Sequence, residues 1–451
     1  MELRDKNILV IGMALSGISA AKLCLEKKAN VTVYDGKSKE QLIDSIKLLD
    51  DFKPKFIFGD FDYTILNDTD LIIISPGVPL DLPFVKKAYE LNIPVWSEIE
   101  LSYRFCESDI VAITGTNGKT TTTTLVGQIM ESYYDSTYVV GNIGIPFSQI
   151  VCRTNEDSKV IAEISSFQLE TIHEFAPRVS AILNITPDHL NRHKTYENYI
   201  NAKLRITENQ TKDDFCILNY DNEICRDLVN KITCNVYFFS KESFEYEKGV
   251  YIKNGLLCTN INNKEEKIID VTELGEHNVE NIMAAVAITL CMNVPLNVIK
   301  DVIKNFKGVA HRVEYVTTIK GVKYFNDSKA TNEDAAINGI KSMKSNTILI
   351  GGGMDKGSSY DDWIKAFDNK VRGLILFGET AHKIENAARE NGFNEIYQVD
   401  TLEEAVYKAY SLAKSGENVL LSPACASWDM FKNFEERGNL FKQCVYELES
   451  Q

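Results

Sequence analysis

The sequence predicts a three-domain protein of the α/β class. Its 451 residues correspond to about three domains at roughly 150 residues each. Apolar segments of strand length alternate with segments of helix length along the whole chain, which is the pattern of parallel sheets covered by helices. Several strands end in glycine-rich turns, as at residues 12–17, 115–118 and 351–353. The predicted domains span residues 1–98, 99–308 and 309–451.

The composition is that of a globular protein and excludes several functional classes. Hydrophobic residues make up 44% of the chain and charged residues 25%, which rules out a collagen, a coiled coil or a disordered protein. The net charge of −15 repels phosphates, so we expect neither nucleic acid nor a membrane surface as a partner. The 10 cysteines contain no Cys-x-x-Cys pair, which is typical of reduced thiols in a cytoplasmic protein.

The first domain begins with a strand, a glycine turn and a helix. Its predicted strands are 8–11, 31–34 and 71–74. The turn at 12–17 and Asp35, which follows the second strand, approximate the dinucleotide fingerprint, in which a helix N-terminus binds a pyrophosphate. Ala14 replaces the central glycine of that fingerprint, so an ordinary strand–helix turn is the alternative.

The strongest motif opens the second domain. A strand at 109–114 runs into the segment GTNGKTT at 115–121, here called the phosphate loop, and a helix follows over 120–130. Glycines let backbone N–H groups approach phosphate oxygens, while the helix N-terminus and Lys119 favour negative charge. Ile113 stands where the usual eight-residue motif has its first glycine, so a plain turn with an exposed lysine is the alternative.

Two further strand ends of this domain carry polar groups. Glu163 closes the strand at 160–164, where a carboxylate suits Mg²⁺. Taken alone it is more often a charge that faces water, but the phosphate loop upstream favours the Mg²⁺ interpretation. The loop at 184–193 contains two histidines and an aspartate, so a metal or substrate site and a surface loop are both open. Zinc is not expected, because no cysteine or third histidine is spaced to complete a tetrahedron.

Lys203 lies in a predicted helix at 199–204. It shares the apolar face of Tyr199 and Ile200. The sequence alone favours a lysine that extends its amine to solvent. The alternative is a desolvated amine with a lowered pKa, which is reactive when neutral.

The rest of the chain predicts two kinds of sheet. Residues 235–272 are polar with short alternating stretches, which favours antiparallel strands. Parallel strands of the third domain are predicted at 347–350, 374–377 and 419–421.

Three polar segments of the third domain lie at strand ends or before a helix, namely 326–332, 351–357 and 422–429. Together they predict a binding face, with tight surface loops as the alternative. Asn332 is expected to cap the following helix.

These motifs resemble the Mur ligase family of bacterial cell-wall synthesis. The resemblance covers nearly the whole chain. It rests on GTNGKTT at 115–121, NITPDHLNRH at 184–193, YINAK at 199–203, GEHNVEN at 275–281 and the pair His311-Arg312. The segments NDSKATN at 326–332 and SPACASWDMFKNFEERG at 422–438 are more specific and are typical of the member that adds D-glutamate.

The resemblance implies a fold and a reaction. The implied domains are a Rossmann-like N-terminal one for the UDP end of the substrate, a central P-loop ATPase-type α/β domain, and a Rossmann-like C-terminal one for the amino acid. The implied enzyme is an ATP-dependent acid–amino-acid ligase that phosphorylates the carboxylate of UDP-N-acetylmuramoyl-L-alanine and joins it to D-glutamate. It is expected to be a cytoplasmic monomer that uses two Mg²⁺ ions in peptidoglycan precursor synthesis.

The resemblance also implies roles for individual residues, by match to the family's motifs. The implied ATP-binding residues are Gly115, Thr116, Asn117, Gly118, Lys119, Thr120, Thr121, Asn281 at the adenine, Arg312 at the γ-phosphate and Asp327 at the ribose. Ser16 and Gly17 would meet the diphosphate of the UDP substrate, Asp35 the uracil and Asn142 the muramoyl part. Thr120 and Glu163 would hold one Mg²⁺, and His189 and a carbamylated Lys203 the other. Thr331, Lys356, Ser427 and Phe434 would bind D-glutamate. The implied catalytic residues are Lys119, Glu163, His189 and Lys203.

Three competing interpretations can be compared with the sequence. Folylpolyglutamate synthetases share the central motifs but lack the N-terminal UDP-binding domain that residues 12–17 and Asp35 predict. An NAD-dependent dehydrogenase would account for the first domain and leave the phosphate loop unexplained. A nucleotide-driven binding switch would hydrolyse ATP without requiring two further substrates.

Overall fold

Three separate sheets organise the chain. The computed structural model describes residues 2–242, 248–274, 278–306, 308–355 and 357–449. The chain divides into two units, residues 1–307, which contain two of the sheets, and residues 308–451, which contain the third. Strands and helices alternate in all three parts, so the predicted α/β class is confirmed.

The first sheet is parallel throughout. Its strands are β1 (Asn7–Ile11), β2 (Asn30–Asp35), β3 (Lys55–Phe58), β4 (Leu71–Ile74) and β5 (Val95–Ser97), in the order β3-β2-β1-β4-β5. Its helices are α1 (Leu15–Glu26), α2 (Ile43–Lys47), α3 (Pro83–Glu90) and α4 (Glu98–Tyr103). The strand order reverses at β1, so the turn after β1 lies at the switch point where such sheets bind ligands.

The second sheet is mostly parallel and ends in an antiparallel edge. Its strands are β6 (Asp109–Thr114), β7 (Thr137–Gly141), β8 (Lys159–Glu163), β9 (Val179–Ile182), β10 (Phe215–Asn219), β11 (Asn235–Ser240), β12 (Gly249–Lys253), β13 (Leu256–Thr259) and β14 (Glu266–Asp270). Their order is β14-β13-β12-β11-β10-β9-β6-β8-β7. The carboxyl ends of β6, β8 and β9 are therefore neighbours.

The antiparallel prediction for residues 235–272 is confirmed only in part. β12, β13 and β14 pair antiparallel, but β11 pairs in parallel with β10 and β12. The physical reason lies in two adjacent aromatic residues of β11. Phe238 and Phe239 are both buried and belong to different core clusters, so β11 is covered on both faces as parallel strands usually are.

Seven helices cover the second sheet within the described residues. They are α5 (Lys119–Glu131), α6 (Ser166–Leu169), α7 (Leu190–His193), α8 (Tyr196–Leu204), α9 (Glu223–Asp227), α10 (Val279–Cys291) and α11 (Leu296–Asn305). α10 packs against α5. Its residues Ile282–Ile288 are all buried, because a helix that is apolar on every side must be covered on every side.

The third sheet has one antiparallel edge strand. Its strands are β15 (Glu314–Ile319), β16 (Val322–Asn326), β17 (Thr347–Gly351), β18 (Val371–Leu376), β19 (Ile396–Gln398) and β20 (Asn418–Leu421), in the order β15-β16-β20-β17-β18-β19. Its helices are α12 (Glu333–Ser342), α13 (Asp361–Lys365), α14 (Ala381–Glu390), α15 (Leu402–Leu412) and α16 (Phe434–Glu449). The predicted cap is confirmed, since the Asn332 side chain accepts a hydrogen bond from the N–H of Ala335.

Two further findings concern the whole chain. All 10 cysteines are unpaired thiols, as the sequence predicts. Among the residues that the structure describes, no helix is both long and apolar enough to cross a membrane.

Candidate active site

The phosphate loop joins β6 to α5 and requires glycine at position 118. Gly118 has a φ of 82°, and a Cβ there would lie 2.3 Å from the Oδ1 atom of Asn281. No described side chain caps the N-terminus of α5, so its first N–H groups face outward as a phosphate site requires. The Nζ atom of Lys119 donates to the carbonyls of Gly115 and Thr116 at 2.9 and 2.8 Å, which holds the lysine over the loop.

The loop at 184–193 braces the phosphate loop. The side chain of Asn184 accepts from the N–H of Asn117 at 2.8 Å and donates to its carbonyl at 3.1 Å. The hydroxyl of Thr116 lies 3.1 Å from the hydroxyl of Tyr199 on α8. The sequence analysis did not assign roles to Asn184 and Tyr199. The position of Asn184, just after a strand that ends at the same edge of the sheet as β6, is the feature of the sequence that could have indicated its role.

Glu163 is a buried acceptor at the end of β8. It is 2% exposed, so the interpretation as a charge that faces water is wrong. Its two carboxylate oxygens accept from the Thr120 hydroxyl at 2.9 Å and from the side-chain amide of Asn142 at 2.8 Å. The two predicted ligands of the first Mg²⁺, Thr120 and Glu163, therefore lie together, and their oxygens are the hard donors that Mg²⁺ prefers.

Lys203 is buried beneath the phosphate loop. It is 2% exposed, so the interpretation as a solvent-directed lysine is wrong. Its Nζ atom lies 4.7 Å from the centre of the Tyr199 ring and donates to the Gly115 carbonyl at 2.8 Å. Burial, and next the charge of Lys119, lower the pKa of Lys203 well below that of an ordinary lysine. Both lysines donate to the carbonyl of Gly115, so their amines lie close together. This proximity accounts for the effect of the Lys119 charge on the pKa of Lys203.

The two histidines of the 184–193 loop occupy different environments. The ring of His189 is about a third exposed and lies 5.0 Å from Phe167 and 6.4 Å from Tyr199, measured between ring centres. His193 is buried, its Nε2 atom lies 3.0 Å from the Ser166 hydroxyl, and desolvation lowers its pKa to about 4. His193 is therefore neutral, whereas His189 remains accessible.

His189 and Lys203, the predicted ligands of the second Mg²⁺, both contact the ring of Tyr199. Within the described part of the chain, no three His, Cys, Asp or Glu side chains form a group that can hold a metal ion. The predicted sites depend instead on a threonine hydroxyl and a modified lysine.

The turn after β1 has the geometry of a dinucleotide-type turn. A Cβ at Gly17 would lie 1.9 Å from the Gly12 carbonyl, so only glycine lets α1 approach β1 this closely. The carboxylate of Asp35 accepts from the N–H of Met13 at 2.8 Å, which fixes the turn. Ser16 lies half-buried in the first turn of α1, and no side chain caps that helix.

In residues 308–451, the polar segments at 326–332 and 422–429 meet at the start of α16. The Ser328 hydroxyl donates to the Phe434 carbonyl at 2.8 Å, Ser427 is buried, and Thr331 is half-buried. Lys356 lies outside the described residues, as do residues 275–277 of the GEHNVEN segment.

Arg437 is fully buried and bonded to both segments. The sequence does not indicate this role, because a charged side chain in a polar segment is normally exposed to solvent.

Asp327 is the most strongly perturbed carboxyl group near these segments. It accepts from the Ser422 hydroxyl at 2.8 Å and from the N–H of Val313 at 3.2 Å. Burial raises its pKa from 3.8 to about 7. The predicted contact of Asp327 with a ribose stays a prediction.

The pKa of Asp327 predicts how stability depends on pH. The folded state binds this proton more tightly than the unfolded state, so stability falls as the pH rises from about 4 to about 7. The shift corresponds to about 4 kcal/mol. Asp327→Asn is expected to reduce this loss when urea unfolding is followed between pH 5 and pH 8. Asp334→Asn, a change on the exposed start of α12, is the control. An unchanged pH dependence in Asp327→Asn would contradict the assignment.

Comparison with known proteins identifies the family. Three family models match the chain: a MurD-like N-terminal domain over residues 6–97, the Mur ligase middle domain over 113–289 and the Mur ligase glutamate ligase domain over 311–425. The chain belongs to the Mur ligase family. This confirms the resemblance inferred from the motifs.

Individual relatives of the Mur ligase family match the entire chain. A protein of Lachnoclostridium phytofermentans named UDP-N-acetylmuramoylalanine--D-glutamate ligase is 50% identical over 100% of both chains. A Thermoanaerobacter protein of the same name is 50% identical over 99% of this chain and 100% of its own. Among solved structures, the MurF ligase of Thermotoga maritima in complex with ADP aligns with a TM-score of 0.55 and 15% identity, over 93% of this chain and 96% of its own. That structural likeness supports the fold.

Proposed function

We propose that this chain is an ATP-dependent ligase that joins D-glutamate to UDP-N-acetylmuramoyl-L-alanine in peptidoglycan precursor synthesis. The observation that carries the proposal is the 50% identity, over the full chain, to a relative named for that reaction. The phosphate loop and the buried Thr120–Glu163 pair support the use of ATP. The reaction proceeds in two steps, formation of an acyl phosphate and its displacement by an amine.

The first step brings two negatively charged groups together, a substrate carboxylate and the γ-phosphate of ATP. Positive charge fixed in advance lowers the barrier of such a step, because it need not reorganise as the reaction proceeds. Lys119 and the uncapped N-terminus of α5 supply that charge at the phosphate loop. Asn281 is the proposed contact for adenine, and Arg312 and Asp327 are the proposed contacts for the γ-phosphate and the ribose.

Two Mg²⁺ ions complete the proposed site, and the contact between the Thr120 hydroxyl and the Glu163 carboxylate supports the first of them. Thr120 and Glu163 would hold the first ion, and His189 and a carbamylated Lys203 would hold the second. When bound, Mg²⁺ neutralises phosphate charge. Lys203 suits carbamylation because its buried position favours the neutral amine, which is the form that reacts with CO₂.

The second step needs an amine held beside the acyl phosphate and kept from water. Thr331, Lys356, Ser427 and Phe434 are the proposed contacts of D-glutamate. Ser16, Gly17, Asp35 and Asn142 are proposed to hold the UDP substrate, and the turn formed by Gly12 and Gly17 supports that assignment.

The proposed domains are residues 1–98, 99–308 and 309–451. We further propose that the enzyme is a cytoplasmic monomer with no nucleic-acid or membrane partner. The net charge of −15 supports the absence of a nucleic-acid or membrane partner, because it repels phosphates.

The proposal is tested by phosphate release from ATP in the presence of Mg²⁺. The expected result is rapid release only when UDP-N-acetylmuramoyl-L-alanine and D-glutamate are both present. L-glutamate and D-glutamine, offered in turn, serve as matched controls for stereochemistry and charge. Release without an amino acid would favour a nucleotide-driven switch, and faster release with another amino acid would contradict the proposed substrate.

A further inference from the structure

Arg437 is a fully buried arginine that joins two loops of the second unit. It lies in the first turn of α16 and is 0% exposed. Its Nε atom donates to the Ser328 hydroxyl at 3.0 Å, and its Nη2 atom donates to the Ser328 carbonyl at 2.8 Å. Both Nη atoms donate to the Cys425 carbonyl at 3.1 Å, and Nη1 reaches the Ala426 carbonyl at 3.4 Å. One side chain thus fixes both the 326–332 and the 422–429 segment.

The charge of Arg437 has no counter-ion among the described residues. All its hydrogen-bond acceptors are carbonyls or a hydroxyl. Cys425 and Asp429 lie close enough to raise the pKa of Arg437, but the Asp429 carboxylate forms no ion pair with it and accepts from the N–H of Glu379. Desolvation lowers the pKa of Arg437 to about 10, so the guanidinium is still charged at neutral pH.

The position of Arg437 makes an unpaired charge still less favourable. The N-terminus of a helix carries a partial positive charge, which repels a cation in its first turn. Burying a charge without an opposite partner is costly in any protein. Arg372 of the same unit shows the usual solution, a bidentate pair with Glu417 at 2.7 Å. An anion that binds nearby would supply the negative charge that Arg437 lacks among its described neighbours.

Within the described residues, the backbone beside Arg437 has a buried N–H group, that of Ser427, that is free to donate to such an anion. The Ala426 carbonyl accepts from Arg437 and from the N–H of Met354 at 2.9 Å. In a trans peptide the N–H points away from the C=O, so the N–H of Ser427 is directed away from the guanidinium. Ser427 is 2% exposed, and its N–H has no acceptor among the described residues. A buried N–H without an acceptor is rare unless a ligand or water satisfies it.

We propose that Arg437 is a positioning and specificity-determining residue of the amino-acid site, where it fixes the 326–332 and 422–429 segments and makes the site prefer a dicarboxylate to a neutral amino acid. This inference rests on the proposed function, since D-glutamate is the anion that would approach Ser427. Arg437 acts through the loop peptides and through its field, without contact with the substrate.

The test compares Arg437→Met with Arg437→Lys in the full chain. The measurements are kcat, the KM for D-glutamate, the KM for ATP, and the ratio of kcat/KM for D-glutamate to that for D-glutamine. Arg437→Met is expected to raise the KM for D-glutamate about tenfold and to lower the acid-to-amide ratio by a similar factor, with the KM for ATP within about twofold. Arg437→Lys keeps the charge and loses most hydrogen bonds, so it is expected to retain the ratio while kcat falls.

Arg372→Met is the matched control, because it removes an arginine of the same unit whose charge is already paired. It is expected to lower stability and to leave the acid-to-amide ratio unchanged.

An unchanged ratio in Arg437→Met, or equal changes in all KM values, would overturn the inference and leave Arg437 a structural brace. If Arg437→Met does not fold, Arg437→Lys decides the question. A lowered acid-to-amide ratio in Arg437→Lys overturns the inference, and an unchanged ratio with a lowered kcat supports it. A wild-type chain whose kcat/KM is higher for D-glutamate than for D-glutamine supports the proposed function whatever the variants show. A wild-type chain that prefers a neutral amino acid would contradict both.

Discussion

Lys119→Ala is expected to abolish ligase activity while the fold survives. The change removes the point charge that the structure holds over the phosphate loop, where the Nζ atom bonds two loop carbonyls. Loss of one such fixed charge typically costs about 3 kcal/mol or more, which is a factor of at least about 100 in kcat. Steady-state phosphate release measures the loss, and circular dichroism with thermal unfolding checks the fold.

Lys86→Ala is the control for Lys119→Ala. Lys86 lies on the exposed side of α3, so its loss removes a charge of the same type at no proposed site. Near-normal turnover in Lys119→Ala would contradict the assignment of residues 115–121 to ATP.

Lys203→Ala is expected to be nearly inactive and to regain activity when a small carboxylic acid is added. Burial favours the neutral amine of Lys203. Attack of that neutral amine on CO₂ forms the C–N bond of a carbamate and releases one proton, so the side-chain charge changes from 0 to −1. Counted from the ammonium, two protons are released and the charge changes from +1 to −1. The product is a carboxylate-like oxygen ligand of the kind Mg²⁺ prefers. Acetate or propionate would replace that ligand in the space left by the lysine.

Carbamylation also has a local consequence at the phosphate loop. The unmodified ammonium donates to the Gly115 carbonyl, which Lys119 also uses. A carbamate keeps only one N–H donor and carries no positive charge, so it cannot donate to both the Gly115 carbonyl and the Thr114 hydroxyl, and the repulsion between the two lysines disappears. Intact-protein mass spectrometry under CO₂ tests for the modification. An unmodified Lys203 in active enzyme, together with an alanine variant that no acid rescues, would contradict this account. Lys203→Glu is a further comparison, because its carboxylate reaches less far from the backbone and should restore little activity.

Local sequence patterns predicted most of the fold. Apolar segments predicted β1, β2, β4 and β6 to within about a residue, because buried parallel strands are continuously apolar. Several strands were not predicted, among them β3, β5 and β16. Lys55–Phe58 and Val95–Ser97 are short edge strands, and Val322–Asn326 is a short strand of a hairpin in which Lys323 interrupts the apolar pattern. Pairing with a neighbour, rather than local composition, defines these three strands.

The candidate site was predictable where its chemistry is local in sequence. The phosphate loop and Glu163 could be read from strand ends and glycine spacing. The burial of Lys203 could not, since it depends on Tyr199 and on the end of β6 covering the amine. Arg437 is the clearest case, because its acceptor Ser328 lies 109 residues away in sequence. Such long-range contacts leave no local pattern.

Transfer of an oxygen isotope tests the central claim, that the chain activates a carboxylate as an acyl phosphate. UDP-N-acetylmuramoyl-L-alanine labelled with ¹⁸O in its terminal carboxylate is incubated with ATP, Mg²⁺ and D-glutamate, and the released phosphate is analysed by mass spectrometry. The account predicts one ¹⁸O atom in each phosphate, because the carboxylate oxygen that attacks the γ-phosphate leaves with it when the amine displaces the phosphate. Unlabelled phosphate, or label found in AMP, would contradict it.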